Sequence, residues 1–91
     1  MHTTYRPETQ EEELFLQIIA NLIKSGTLSR NAVLTIIHLC QTPEAMLAFS
    51  SWVLDHRNNK EKVPYQEFEL MGVANDIHQG VPIREFPQDK S

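Results

Sequence analysis

The sequence lacks most of the features that mark specialised classes of protein. Among its 91 residues there is a single cysteine, Cys40, which excludes an internal disulfide and fits a reducing compartment. No apolar run approaches the roughly 20 residues that are needed to span a bilayer. The first residues also lack the basic segment and apolar core of a signal peptide. These absences predict a cytoplasmic protein without a membrane segment.

Positive charge is scarce and scattered. Eight lysine and arginine residues stand against 12 acidic residues, for a net charge of −4, and the basic residues are spread from Arg6 to Lys90. Proteins that bind nucleic acid gather basic side chains on one face, because much of their affinity comes from neutralising phosphates. The charge pattern therefore disfavours nucleic acid and anionic membranes as partners.

The motifs of catalysis and cofactor binding are also missing. The sequence contains no GxSxG elbow, no glycine-rich phosphate loop and no HExxH pair. Cys40 falls on the apolar side of a predicted helix, where a thiolate nucleophile is disfavoured. We therefore expect a protein that is not an enzyme and carries no cofactor.

The four histidines do not form a local metal-binding pair. Ligand pairs such as CxxC, or two histidines one helical turn apart, fix the geometry of most small metal sites. A site built from His38, His56 and His78 would need three helices to converge, which their spacing does not predict. Surface histidines, with Cys40 as a small buried apolar residue, are the simpler interpretation.

What the sequence does contain is an ordinary globular composition, with 41% hydrophobic and 22% charged residues. Start and stop signals predict four helices in one domain over residues 9–80, with an N-terminal arm at 1–8 and an extended tail at 81–91. In chain order, the signals are a capping box at Thr9 and Glu12 with Gly26 for the first helix, Ser29 for the second, Thr42 with Pro43 for the third, and Pro64 with Gly80 for the fourth.

The second predicted helix, which runs through Gln41, is apolar on nearly all sides. Such a helix is typical of the centre of a bundle. Short connections predict that the first three helices are antiparallel neighbours. The expected fold is a compact all-α bundle of four helices with short loops. The apolar residues that cover most sides of the second helix are Val33, Leu34, Ile36, Ile37, Leu39 and Cys40.

The corner between the second and third helices raises one alternative function, a helix-turn-helix DNA-binding regulator formed by residues 29–41 and 43–58. A recognition helix needs polar or basic residues in its first turns to contact base edges. Here Glu44 stands at that position, and no basic residue follows until Arg57. A plain bundle corner is the favoured interpretation.

A polar stripe crosses the fourth helix, where Glu69 and Asp76 lie seven residues apart with Gly72 between them. The stripe could receive a partner or be an ordinary solvated face.

Excess apolar residues outside the expected core favour a contact surface. Leu47 and Leu54 fall on a separate side of the third helix, and Ile83 and Phe86 lie in the tail. We therefore expect a small non-enzymatic interaction or regulatory module that docks through an apolar helix face. Its partner would be another protein or a second copy of itself, with these four residues as anchors.

Overall fold

The computed structural model describes residues 9–57 and 66–84, with only the backbone for the last two residues of the first range. This part of the chain contains no β-strand, so the predicted all-α, four-helix fold is confirmed. None of the described helices is both long and apolar enough to cross a lipid bilayer. The helices are α1 (Gln10–Lys24), α2 (Arg30–Leu39), α3 (Pro43–Arg57) and α4 (Glu67–Gln79).

Both ends of α1 carry the predicted caps. The Thr9 hydroxyl accepts a hydrogen bond from the N–H of Glu12 at 3.0 Å, which satisfies a backbone donor that the helix itself leaves free. At the other end Gly26 has a φ of +81°, and the N–H of Thr27 donates to the carbonyl of Leu22 at 2.9 Å. This left-handed glycine and its bond form a Schellman motif, which ends the helix.

The caps of α2 and α3 are also those predicted. The hydroxyls of Ser29 and Thr42 each accept the N–H three residues later, at 3.3 and 3.1 Å. The end of α2 differs, because the helix stops at Leu39 rather than at Gln41. Cys40 has φ −111° and ψ 71°, which lie outside the helical region and turn the chain away from the helix axis.

The fourth helix is shorter than predicted. It begins at Glu67, whereas the expected start at Pro64 lies outside the described residues. Its predicted end is confirmed, because Gly80 has a φ of +73° and the N–H of Val81 donates to the carbonyl of Asp76 at 3.1 Å.

The first three helices do not pack in chain order: the expectation that α2 and α3 are neighbours is wrong, and α1 makes only slight contact with α2. Instead, α1 packs mainly against α3, α2 packs mainly against α4, and α3 also contacts α4. No Cα atom of α2 lies within 8 Å of a Cα atom of α3, although both helices are in the described part of the chain. A short connection keeps two helix ends close, but the backbone at Cys40 decides where the next helix points.

The second and fourth helices run parallel. At their starts, the N–H of Ser29 donates to Oε2 of Glu67 at 2.7 Å. At their far ends, Leu39 and Ile77 line the same cleft. A parallel pair is possible here because a whole helix, α3, separates the two in sequence.

The core lies between the α1–α3 pair and the α2–α4 pair. Two aromatic rings are in contact within it. The rings of Phe15 in α1 and Phe49 in α3 meet edge to face, with centroids 5.6 Å apart and an interplanar angle of 75°. Ser50 is a buried polar residue, and its hydroxyl donates to the carbonyl of Met46 at 2.7 Å. The buried apolar residues are Phe15, Ile18, Ile19, Leu22, Leu28, Ala32, Val33, Ile36, Cys40, Phe49, Trp52, Val53, Leu70, Val73 and Ala74.

Candidate functional site

The four predicted anchor residues differ in how much surface they present. Leu47 is 44% exposed on α3 and Ile83 is 37% exposed in the tail. Leu54 is half-buried and packs against the core, so it stabilises the fold as well as presenting surface. Phe86 lies outside the described residues.

The helix α2, which the sequence predicts at the centre of the bundle, has an exposed apolar side that the sequence analysis did not predict. Leu34 is 60% exposed and Ile37 is 37% exposed, and residues three apart are neighbours on a helix. Only Ala32, Val33 and Ile36 are buried in α2. The expectation that α2 is surrounded on most sides is therefore wrong.

The physical reason is that α2 has one main neighbour, α4, and makes only slight contact with α1. A helix packed on one side buries one stripe, whatever residues stand on the other. We call the exposed side the α2 outer face, and define it as Arg30, Leu34, Ile37 and His38, all of which are exposed. Arg30 and His38 lie one turn before and one turn after Leu34. The near-continuous apolar run of α2 is the signal that could have identified this face.

The geometry of the α2–α3 corner does not favour DNA reading. In a helix-turn-helix the first helix supports the second through direct packing, but no Cα atom of α2 lies within 8 Å of a Cα atom of α3. The exposed residues in the first turns of α3 include Glu44 and Leu47, which do not supply the donors that phosphates and base edges require.

Of the three histidines considered as a metal site, two line the same cleft. His38 and His78, which lie in the last turns of the parallel helices α2 and α4, line one cleft of about 270 Å³. The side chain of His56 is outside the described part of the chain. No cluster of three or more His, Cys, Asp or Glu side chains among the described residues could hold a metal ion. The remaining lining residues are Leu39, Gln41, Thr42, Ala45 and Ile77.

Cys40 is fully buried, as predicted. Burial raises the pKa of its thiol from 9.0 to about 11, because desolvation disfavours the thiolate. The side chain is therefore protonated at neutral pH and is a poor nucleophile.

The polar stripe on α4 receives a side chain from the protein's own tail. Arg84 forms an ion pair with Asp76, with Nε 2.9 Å from Oδ2 and Nη2 3.2 Å from Oδ1. The guanidinium lies over Gly72, where an added Cβ atom would be 2.7 Å from Nη2 and closer still to Nη1 and Cζ. Only a residue without a side chain leaves this space free.

The backbone of Arg84 is bound as well. Its N–H donates to Oδ2 of Asp76 at 3.2 Å, and its carbonyl accepts a hydrogen bond from the indole N–H of Trp52 at 2.9 Å. Since Trp52 belongs to α3 and Asp76 to α4, Arg84 links the two helices. We call the group Trp52, Glu69, Gly72 and Asp76 the arginine seat.

The electrostatics of the seat favour the charged forms of both partners. The hydrogen bonds from the Arg84 side chain lower the pKa of Asp76, against a smaller opposing effect of desolvation. The hydrogen bonds to Asp76, with added attraction from Asp76 and Glu69, raise the pKa of Arg84. A second carboxylate, Glu67, also has a lowered pKa, because the backbone N–H of Ser29 donates to it.

Comparison with known proteins adds no relative from which a role could be transferred. No family model, curated protein or solved structure matches this chain.

Proposed function

We propose that the protein is a non-enzymatic interaction module that binds a helical segment of another protein through the α2 outer face. The observation that carries this proposal is the 60% exposure of Leu34, with Ile37 beside it. Burying the remaining apolar surface of this pair would contribute about 2 kcal/mol, which is the size of an interface hot spot.

The charges around this face indicate the chemistry of the partner. No acidic residue occurs between positions 25 and 43, although the whole chain has a net charge of −4. Arg30 is exposed on the α2 outer face. A matching partner helix would therefore present apolar side chains bordered by carboxylates. Leu47 and Ile83 remain proposed additional anchors, because both expose apolar surface.

Site-specific photo-crosslinking tests this proposal and does not require the identity of the partner. Leu34 is replaced by p-benzoylphenylalanine in the full chain, which is then irradiated in lysate from its source cells. A discrete adduct is expected, and it should weaken when Ile37→Ser is introduced on the same face.

The matched control places the photoreactive residue at Ser51, which is exposed on α3. The same adduct from both positions, or no adduct from position 34, would contradict the proposal. An adduct whose mass is twice that of the chain would assign the α2 outer face to self-association instead of binding to another protein.

A further inference from the structure

The arginine seat recognises one residue by both its backbone and its side chain. The carbonyl of Arg84 accepts from Trp52, while its N–H and its guanidinium both donate to Asp76. Bonds to backbone and side chain together are how proteins bind an extended peptide with sequence preference. The seat thus has the elements of a peptide-binding site that selects arginine.

The selection of arginine over lysine follows from the shape of the seat. The planar guanidinium places two N–H groups against the two oxygens of Asp76, and a lysine ammonium cannot reproduce this paired geometry. The space over Gly72 admits the flat group. A glycine within a helix is destabilising relative to alanine, and here it leaves room for the guanidinium.

The tail that fills the seat is not part of the core. Val81 and Ile83 are 46% and 37% exposed, and the Arg84 side chain is 43% exposed. The Asp76 side chain is 14% exposed, and an ion pair open to solvent on one side contributes little to stability. The tail can therefore leave the seat while the buried residues of α1 to α4 remain in place.

We propose that the arginine seat binds an extended, arginine-bearing segment of another protein, and that Arg84 is an internal competitor for this site. The carboxylates of Glu69 and Asp76 favour a cationic segment. The proposal concerns a different surface from the α2 outer face and does not depend on the function proposed there.

Peptide binding to the full-length Arg84→Ala variant tests this inference. The probe is a fluorescein-labelled peptide of residues 81–91, VPIREFPQDKS, followed by fluorescence anisotropy. We expect saturable binding to the variant and about tenfold weaker binding to the wild-type protein, because a tethered competitor acts at an effective concentration in the millimolar range. Since the chain has a single tryptophan, its one indole N–H signal in an NMR spectrum should shift as the peptide binds.

Three controls define the site. A peptide with alanine in place of its arginine should not bind the Arg84→Ala variant. Adding Gly72→Ala to that variant should weaken binding of the original peptide, because its guanidinium would have to shift, whereas adding Asn75→Ala, at an exposed position of the same helix, should not.

Several results would overturn the proposal. These are no binding to the Arg84→Ala protein, equal binding of the alanine peptide, or binding that Gly72→Ala does not weaken. Gly72→Ala should favour the helix, and circular dichroism of that variant distinguishes loss of binding from unfolding. A wild-type dimer in size-exclusion chromatography that Arg84→Ala converts to monomer would assign the seat to a second copy, and would likewise overturn the proposal of a different partner.

Discussion

Replacement of Gly72 by alanine should have two opposing effects on the free energy of unfolding. It should stabilise α4 and weaken the attachment of the tail residue Arg84. Alanine stabilises the interior of an exposed helix by about 1 kcal/mol relative to glycine. In this protein the new methyl group would also overlap the guanidinium of Arg84, which we expect to move away from Asp76. Loss of that partly exposed ion pair costs about 1 kcal/mol, so the two effects should nearly cancel.

Removing Arg84 should separate the two effects. In the Arg84→Ala background the three atoms nearest to the added Cβ are gone, and Gly72→Ala should then give a gain of about 1 kcal/mol. The wild type, the two single variants and the double variant form a double-mutant cycle. Its coupling energy should be about 1 kcal/mol, which is larger than the deviation from additivity expected for independent sites. The four proteins would be compared by urea unfolding followed by circular dichroism.

The cycle has a clear refuting result and a matched control. If Gly72→Ala gives the same gain with and without Arg84, the guanidinium does not occupy the space over Gly72, and the description of the seat is wrong. Asn75→Ala, at an exposed position of α4, should show no coupling to Arg84→Ala.

Three further predictions concern single residues. At neutral pH the thiol of Cys40, which is buried and has a pKa of about 11, should react with Ellman's reagent much more slowly in the folded protein than in concentrated urea; equal rates would show that the thiol is accessible. Because the pKa of Asp76 is lowered from 3.8 in the folded protein, the ion pair stabilises above that value and is lost as the pH falls through it toward the lower folded value. The melting temperature of wild type should therefore fall more steeply below about pH 5 than that of Asp76→Asn, and parallel curves would argue against the ion pair. Gly80→Ala should destabilise by about 1 kcal/mol, since its φ of +73° is strained for any residue with a Cβ, and an unchanged urea midpoint would contradict this.

The existence of the four helices and most of their ends, though not the end of α2 or the start of α4, could be predicted from the sequence because their signals are local. Thr9, Ser29 and Thr42 each cap a helix through a backbone N–H only three residues away. The positive φ of Gly26 and Gly80 likewise depends on the backbone of their own turn. Such interactions do not depend on how the rest of the chain folds.

The packing of α2 could not be predicted in this way. Its residues are apolar on nearly all sides, but the number of neighbouring helices decides how many of them are buried. Leu34 and Ile36 are equally suited to a core by composition, yet one is 60% exposed and the other is fully buried. The difference follows from α2 packing mainly on α4, and this contact depends on the direction that the chain takes after Cys40.

The polar stripe on α4 was identified from the sequence, but the group that binds to it was not. The spacing of Glu69, Gly72 and Asp76 already places a gap between two carboxylates on one helix. What fills the gap depends on Arg84 and on Trp52, which lies 32 residues before it in the chain. Neither short-range spacing nor charge identifies that combination.

The two proposed binding surfaces of this protein differ in whether one of its own side chains occupies them. The α2 outer face exposes its apolar side chains and has no occupant among the described residues, so a partner would not have to displace any of them. The arginine seat has an occupant, and any partner must compete with Arg84. Variants of Leu34 should therefore change binding directly, whereas variants of Arg84 should increase it.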